Sequence, residues 1–201
     1  VKEKKPETFA AAVEALRRGE VIVYPTETFY GLGGDALNRY AVERVAALKR
    51  RSLDSPIAVI IADRRMLSHI VGEVSPAAEK LIERFWPGPL TLILPAKKGL
   101  PAPLLNREGK IGVRISSHPI AARLARELGR PLTATSANPT GKEAARTIQQ
   151  ARNYFAGSVE IFLDGGSSMG KSGSTVVEII RNELKIIREG EISAKELAQW
   201  I

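Results

Sequence analysis

The chain has 201 residues, 44% hydrophobic and 26% charged, a size and composition that let one domain bury roughly 70% of its unfolded surface and that exclude a disordered chain. It contains no cysteine, which excludes disulfides, thiolate metal sites and a cysteine nucleophile together. Thirty Lys and Arg against 22 Asp and Glu leave a net charge of +8, a balance that favours polyanions such as nucleotides or RNA without choosing between them.

Phe9, Val13 and Leu16 recur at helical spacing and Gly19 stops the pattern, which predicts an amphipathic helix over 7–18. A strand from Val21 to Tyr24 runs into Pro25, and residues 25–38, rich in Thr and Gly and poor in periodicity, read as a binding loop. A helix built on Val42, Val45 and Ala46 follows. Ile57 to Ile61 reads as a buried strand, and a helix around Leu81, Ile82 and Phe85 ends at Pro87-Gly88-Pro89. Leu90 to Leu94 is the next strand. After a loop at 96–109 come strand Ile111 to Ile115, helix Ile120 to Leu128 and strand Leu132 to Thr135. A polar loop, 136–146, leads to another helix. Val159 to Leu163 and Val176 to Ile180 read as strands, Leu184 to Ile187 as a hairpin partner, and a short helix closes the chain. No repeat or linker divides this order, so residues 1–201 are expected to form a single α/β domain.

No apolar run approaches the roughly 18 residues of a membrane span, and the opening Val1-Lys2-Glu3-Lys4-Lys5 lacks the apolar stretch of a signal peptide. A cytoplasmic location with no membrane partner is the expectation.

Hydroxyl and charged residues recur at the ends of the predicted strands: Thr26 and Thr28 after the first, Arg114 within another, Ser136 and Asn138 after the next. Ligands of open α/β sheets gather outside strand ends, although each of these residues also suits a turn or a cap. Lys49, Arg50 and Arg51 close a helix, where cations offset the dipole. Lys49 also lies seven residues beyond Val42, on the inward face, where a charge calls for an anionic partner. Arg114 interrupts Ile111-Gly112-Val113-Arg114-Ile115 and requires a carboxylate or phosphate nearby, from a ligand or from the protein itself.

Two nucleotide motifs are decoys. Gly165 to Ser172 fits the G-x-x-x-x-G-K-[ST] phosphate loop, but Gly173-Ser174-Thr175-Val176-Val177 is β-branched where a helix should begin. Gly31-x-Gly33-x-x-Ala36 resembles a dinucleotide fingerprint, yet Pro25 to Tyr30 separates it from its strand. His69 and His118 lie in no ligand-spaced cluster, so no protein metal site and no Ser-His-Asp triad is expected. Aromatics at 5% disfavour a base-stacking platform.

Pro25-Thr26-Glu27-Thr28-Phe29-Tyr30-Gly31-Leu32-Gly33 resembles the opening signature of the YrdC-type threonylcarbamoyl-AMP synthases. Further signatures follow in order: Lys49-Arg50-Arg51, Phe85-Trp86-Pro87-Gly88-Pro89-Leu90-Thr91, Gly112-Val113-Arg114-Ile115, Ser136-Ala137-Asn138, Gly173 to Val177, and Ile187-Arg188-Glu189-Gly190. The resemblance implies an open, twisted, mostly β-sheet with flanking helices around a basic cavity. It also implies a nucleotidyltransferase that joins L-threonine, bicarbonate and ATP into threonylcarbamoyl-adenylate and pyrophosphate, for the threonylcarbamoyladenosine of tRNA.

By that resemblance Thr28, Arg114 and Ser174 hold threonine, and Arg51, Ser136, Asn138, Thr147 and Arg188 hold the nucleotide. Lys49 and Arg51 serve catalysis, Lys49 facing the phosphates or the carbamoyl group. Mg²⁺ arrives with ATP, and a downstream transferase takes the adenylate. Ser55, Lys110 and Ile60 depart from the family pattern and put contact details in question. The longer family branch carries a further C-terminal domain beyond the stretch matched here, so any gating by it is expected to be absent or supplied differently.

Two competing readings stay open. A non-enzymatic double-stranded RNA or tRNA-binding, or ribosome-assembly, protein would suit the charge. A carbamoyl-adenylate-forming module of hydrogenase maturation would suit the resemblance, but it is embedded in a longer chain with zinc-finger cysteines.

Overall fold

The computed structural model describes residues 8–50 and 55–200. Helix α1 (Phe9–Arg17) begins where the Thr8 hydroxyl accepts from the Ala11 amide, and it buries Ala12, Val13, Ala15 and Leu16. Strands β1 (Ile22–Tyr24) and β2 (Gly31–Gly33) pair antiparallel, so the expected binding loop at 25–38 is shorter than predicted and encloses a strand. Gly-Leu-Gly has too little β propensity to announce itself; its pairing with β6 comes from tertiary contact.

The chain continues through α2 (Arg39–Lys49), β3 (Ala58–Ile60), a 3₁₀ turn at 64–66, α3 (Leu67–Ile70) and α4 (Pro76–Phe85). Next come β4 (Leu90–Pro95), β5 (Lys110–Arg114), α5 (Pro119–Leu128) and β6 (Leu132–Ser136). Last are α6 (Ile148–Phe155), β7 (Ile161–Phe162), β8 (Thr175–Ile180), β9 (Glu183–Arg188) and α7 (Ala194–Leu197). The short α3 has no apolar period long enough to be read in advance. The motif at Gly165 to Ser172 is followed by β8 and not by a helix, as its β-branched continuation predicts.

Among the described residues nine strands join one sheet in the order β7-β1-β2-β6-β3-β5-β4-β8-β9. The pairs β1–β7, β3–β5 and β4–β8 are parallel and the others antiparallel, a mixed sheet. Strand alternation sorts the apolar side chains by face. Val23, Leu32, Val59, Leu92, Val113 and Val177 point to the larger core, which also takes in buried residues of α2 and α4. Ile22, Tyr24, Ile60 and Leu132 point to the other face, against α1 and α5. Each fully buried Leu, Ile or Val contributes about 1.5–3 kcal/mol, so both helical layers are held mainly by this sorting. α1 packs over β1 and β7, and α5 lies beside α1 and reaches β3.

Candidate active site

The part of that second face lying over β6, β3, β5 and β4 has a floor of small side chains. Ala134 stands directly opposite Ala58, and a Cβ added to Gly112 would lie 3.3 Å from the Ala58 methyl and 3.2 Å from Thr91 Cγ2. Two-residue periodicity then puts Ser136, two beyond Ala134, and Arg114, two beyond Gly112, on this same face. Ile60 pairs with Arg114 on one side and Leu132 on the other, so Ser136 sits four residues along the sheet and two strands across. The two Cα atoms are therefore roughly 16 Å apart, at opposite ends of one floor.

At the β6 end stands Lys49. Asn38 caps the start of α2, whose last turn brings the Lys49 side chain inward, and only 4% of the residue is exposed. Its ammonium donates to the Ser136 carbonyl at 2.6 Å, to Asn138 Oδ1 at 2.9 Å and to Ser136 Oγ at 3.3 Å. Asn138 in turn donates to the Lys142 carbonyl at 2.6 Å, and the Thr140 amide donates to the Lys49 carbonyl at 2.8 Å. Lysine, serine and asparagine thus form one hydrogen-bonded unit around a buried positive charge.

At the β5 end the buried Arg114 donates through Nη1 to Glu27 Oε1, and the Ser116 hydroxyl donates to Glu27 Oε2. Across the sheet, the β4–β5 register carries Thr91 to the position beside Arg114. Thr91 and Ser174 hydroxyls lie 2.8 Å apart, and Arg188 Nη2 donates to the Ser174 carbonyl at 2.7 Å. Much of Arg188 remains in solvent, but its guanidinium is crowded against protein. That burial, and then the positive Arg114, lower its pKa. Two guanidinium groups near enough to act on one another leave a field that an anion relieves.

The loop from Pro25 to Tyr30 joins the two ends. Thr26 Oγ1 accepts from the Thr28 and Phe29 amides, each at 3.2 Å, and donates to the Phe29 carbonyl at 2.6 Å. With that proton committed, the 3.1 Å contact between the Thr26 and Thr28 hydroxyls takes its hydrogen from Thr28, so the Thr28 oxygen offers lone pairs to a ligand. The segment Asp164 to Ser172 crosses this loop as a strap. Tyr30 donates to the Gly166 carbonyl at 2.6 Å, Ser168 donates to the Thr28 carbonyl, and a Cβ on Gly170 would fall 2.6 Å from Thr28 Cα. The glycine spacing that imitates a phosphate loop therefore serves close approach of two backbones. Arg146 lies over the Phe29 ring at 5.6 Å and donates to the Lys171 carbonyl, adding a cation at the rim.

The structure brings together Lys49, Ser136 and Asn138 at one end and Arg114, Ser174 and Arg188 at the other, with Thr28 in the loop between. Arg51 lies outside the described residues. Thr147 accepts from the Gln150 amide in a capping box at the start of α6, so its hydroxyl is engaged locally. Of the residues that depart from the family pattern, Ser55 is exposed, Ile60 is fully buried against the α1 and α5 layer, and Lys110 bridges Glu108 and Glu178. Sequence reasoning passed over Glu27, Thr91 and Ser116 as site residues, although the first two stand inside quoted motifs and the third follows Arg114 by two positions. Among the described residues no group of three His, Cys, Asp or Glu could hold a metal, and no helix is long and apolar enough to cross a membrane.

The Sua5/YciO/YrdC family model, described as telomere recombination, matches residues 14–190. A threonylcarbamoyl-AMP synthase of Pyrococcus abyssi is 35% identical over 186 residues, which is 92% of this chain and 55% of that one. The chain thus spans about half the length of that relative. A threonylcarbamoyl-AMP synthase of Idiomarina loihiensis is 37% identical over 89% of this chain and 96% of its own. The structure of P. abyssi Sua5 complexed with L-threonine superposes with a TM-score of 0.92 at 34% identity, covering 96% of this chain and 57% of that one. The chain belongs to the Sua5/YciO/YrdC family.

Proposed function

We propose that the chain is a threonylcarbamoyl-AMP synthase, joining L-threonine, bicarbonate and ATP into threonylcarbamoyl-adenylate with release of pyrophosphate. The observation that carries this reading is the pair of cationic centres, Arg114 with Arg188 and Lys49 with Ser136, at the two ends of one small-residue floor. Bicarbonate, the triphosphate and the carboxylate of zwitterionic threonine carry negative charges that repel one another, and fixed cations offset that repulsion while holding them in line. The names of the relatives and the threonine-bound structure of one of them support the same substrates.

In this reading Arg114 holds the threonine carboxylate, with the Thr28 and Ser174 hydroxyls on its polar groups. Threonine's amine nitrogen forms a bond to the bicarbonate carbon, and loss of water leaves a carbamate. A carbamate oxygen then bonds to the α-phosphorus of ATP as the bond to the bridging oxygen breaks, and pyrophosphate leaves with that electron pair. Lys49 neutralises charge at the phosphates or the carbamoyl group, Ser136, Asn138 and Arg188 fix the nucleotide, and Arg51 joins them by resemblance. Glu27 is already committed to Arg114 and Ser116, so the donor set suits a Mg²⁺ carried in by the triphosphate, which supplies charge neutralisation there.

Transfer to tRNA by a downstream enzyme, contact with tRNA or double-stranded RNA, and a cytoplasmic location extend the same reading. The test is pyrophosphate release measured with each substrate omitted in turn. Release that requires threonine, bicarbonate and ATP together is expected; turnover of ATP indifferent to threonine would overturn the proposal.

A further inference from the structure

The Glu27 carboxylate stands where a ligand carboxylate is expected, against the one arginine assigned to threonine. It is held at both oxygens: Arg114 Nη1 donates to Oε1 and the Ser116 hydroxyl to Oε2. Ser116 is itself 1% exposed, and its oxygen accepts from the His118 amide at 3.2 Å, which fixes the direction in which its single proton points. On the backbone side, Thr26 and Thr28 hold the loop that carries Glu27 through the bonds described above. A carboxylate with two donors and a locked loop is a fixed anchor and not a mobile competitor.

Arg114 has five N–H donors in a planar fork. The bond to Glu27 is the only side-chain hydrogen bond it makes among the described residues, so Nε and Nη2 remain for a ligand. Its side chain is only 6% exposed, which leaves a guanidinium held at one corner and unpaired at the rest. Without Glu27 it would also face Arg188 with no nearby anion to keep it in place.

We propose that Glu27 is a positioning residue that, clamped by Ser116, fixes the Arg114 guanidinium in the orientation that receives the substrate's carboxylate. The inference rests on the proposed synthase function. Glu27 touches no reacting atom; it sets the angle at which the free edge of Arg114 meets threonine. A misplacement of about 1 Å in such a group costs on the order of 100-fold, so the effect should be selective for threonine.

The experiment compares wild type with Glu27→Gln and Ser116→Ala in pyrophosphate release, varying threonine and ATP separately, with a thermal melt of each protein. Glu27→Gln keeps the shape and removes the charge; it is expected to raise KM for threonine about 10- to 100-fold while KM for ATP changes less than about threefold. Ser116→Ala leaves the carboxylate but frees one oxygen, so a smaller rise of about 3- to 10-fold in the same constant is expected, and it decides the matter if Glu27→Gln does not fold. Glu27→Asp, one methylene short, should not restore the wild-type constant. An unchanged or lower KM for threonine in the variants, or an equal rise in both constants, overturns the positioning role while leaving the synthase reading intact. Wild type that releases pyrophosphate without regard to threonine overturns both.

Discussion

Replacing Lys49 by Met separates catalysis from folding at the β6 end of the floor. Met keeps the length of the stem and fills the same space, but it removes the charge and the donors to Ser136 and Asn138. Hydrogen bonds from a charged group, among them those at 2.6 and 2.9 Å, are worth about 1.5–3 kcal/mol each. Against that loss, the ammonium of a residue only 4% exposed carries a desolvation cost of several kcal/mol, which Met does not. The two nearly offset, so the melting temperature should move by no more than about 2–6 °C in a domain of this size. Activity has no such compensation. Removal of a single preorganised charge-stabilising donor costs about 2.7–4 kcal/mol of transition-state stabilisation, or a 10²- to 10³-fold fall in kcat. The assay is threonine-dependent pyrophosphate release at saturating substrates, with far-UV circular dichroism and a melt as fold controls. A Met variant within threefold of wild-type kcat would show that the buried ammonium is a structural clamp only, and Lys49 would leave the mechanism.

Arg114→Ala should abolish threonine-dependent turnover while leaving a folded protein that still binds ATP; calorimetry with each substrate checks both halves. Thr147→Ala removes a helix cap worth about 1 kcal/mol and should lower the melting temperature by about 2–4 °C. An unchanged KM for ATP in that variant would assign Thr147 to the cap, and a raised one would assign it to the nucleotide. Gly170→Ala places a methyl group against the Thr28 backbone, so the strap must lift; turnover should fall with little change in melting, and hydrogen exchange at 164–170 should accelerate. His118 caps α5 by accepting the Ile120 amide at Nδ1, and burial holds its pKa below the usual value, with Glu27 pulling the other way. A histidine held neutral in the folded state contributes stability that is present above its unfolded pKa and lost as pH falls through the folded one. Melting temperature should therefore drop as the solution is acidified below about pH 6.5, and drop less in His118→Asn, which keeps a capping oxygen; equal slopes in the two proteins would refute the assignment.

Much of the architecture was legible because most elements are long enough to show a period. α1, α2, α4 and α5 follow their apolar faces closely, and the central strand β3 lies in a continuous apolar run. β2 escaped because a Gly-Leu-Gly strand exists only through its neighbours β1 and β6. Sheet order also escaped, since nothing in the local pattern of β6 says that it lies between β2 and β3.

The candidate site divides along the same physical line. Lys49 and Arg114 could be found because each breaks an apolar pattern, and a charge on an inward face demands an explanation from within the sequence itself. What answers that demand is set in three dimensions. For Arg114 the protein supplies its own carboxylate, Glu27, from a loop 87 positions away. For Lys49 it supplies carbonyl and amide oxygens 87 and 89 positions away. The contrast explains why the two ends differ in kind. A guanidinium anchored by a carboxylate at one corner has its remaining donors aimed and its net charge reduced, which suits selective capture of a single carboxylate. An ammonium that donates to the Ser136 and Asn138 oxygens suits a centre where negative charge accumulates on phosphate as a bond to phosphorus forms.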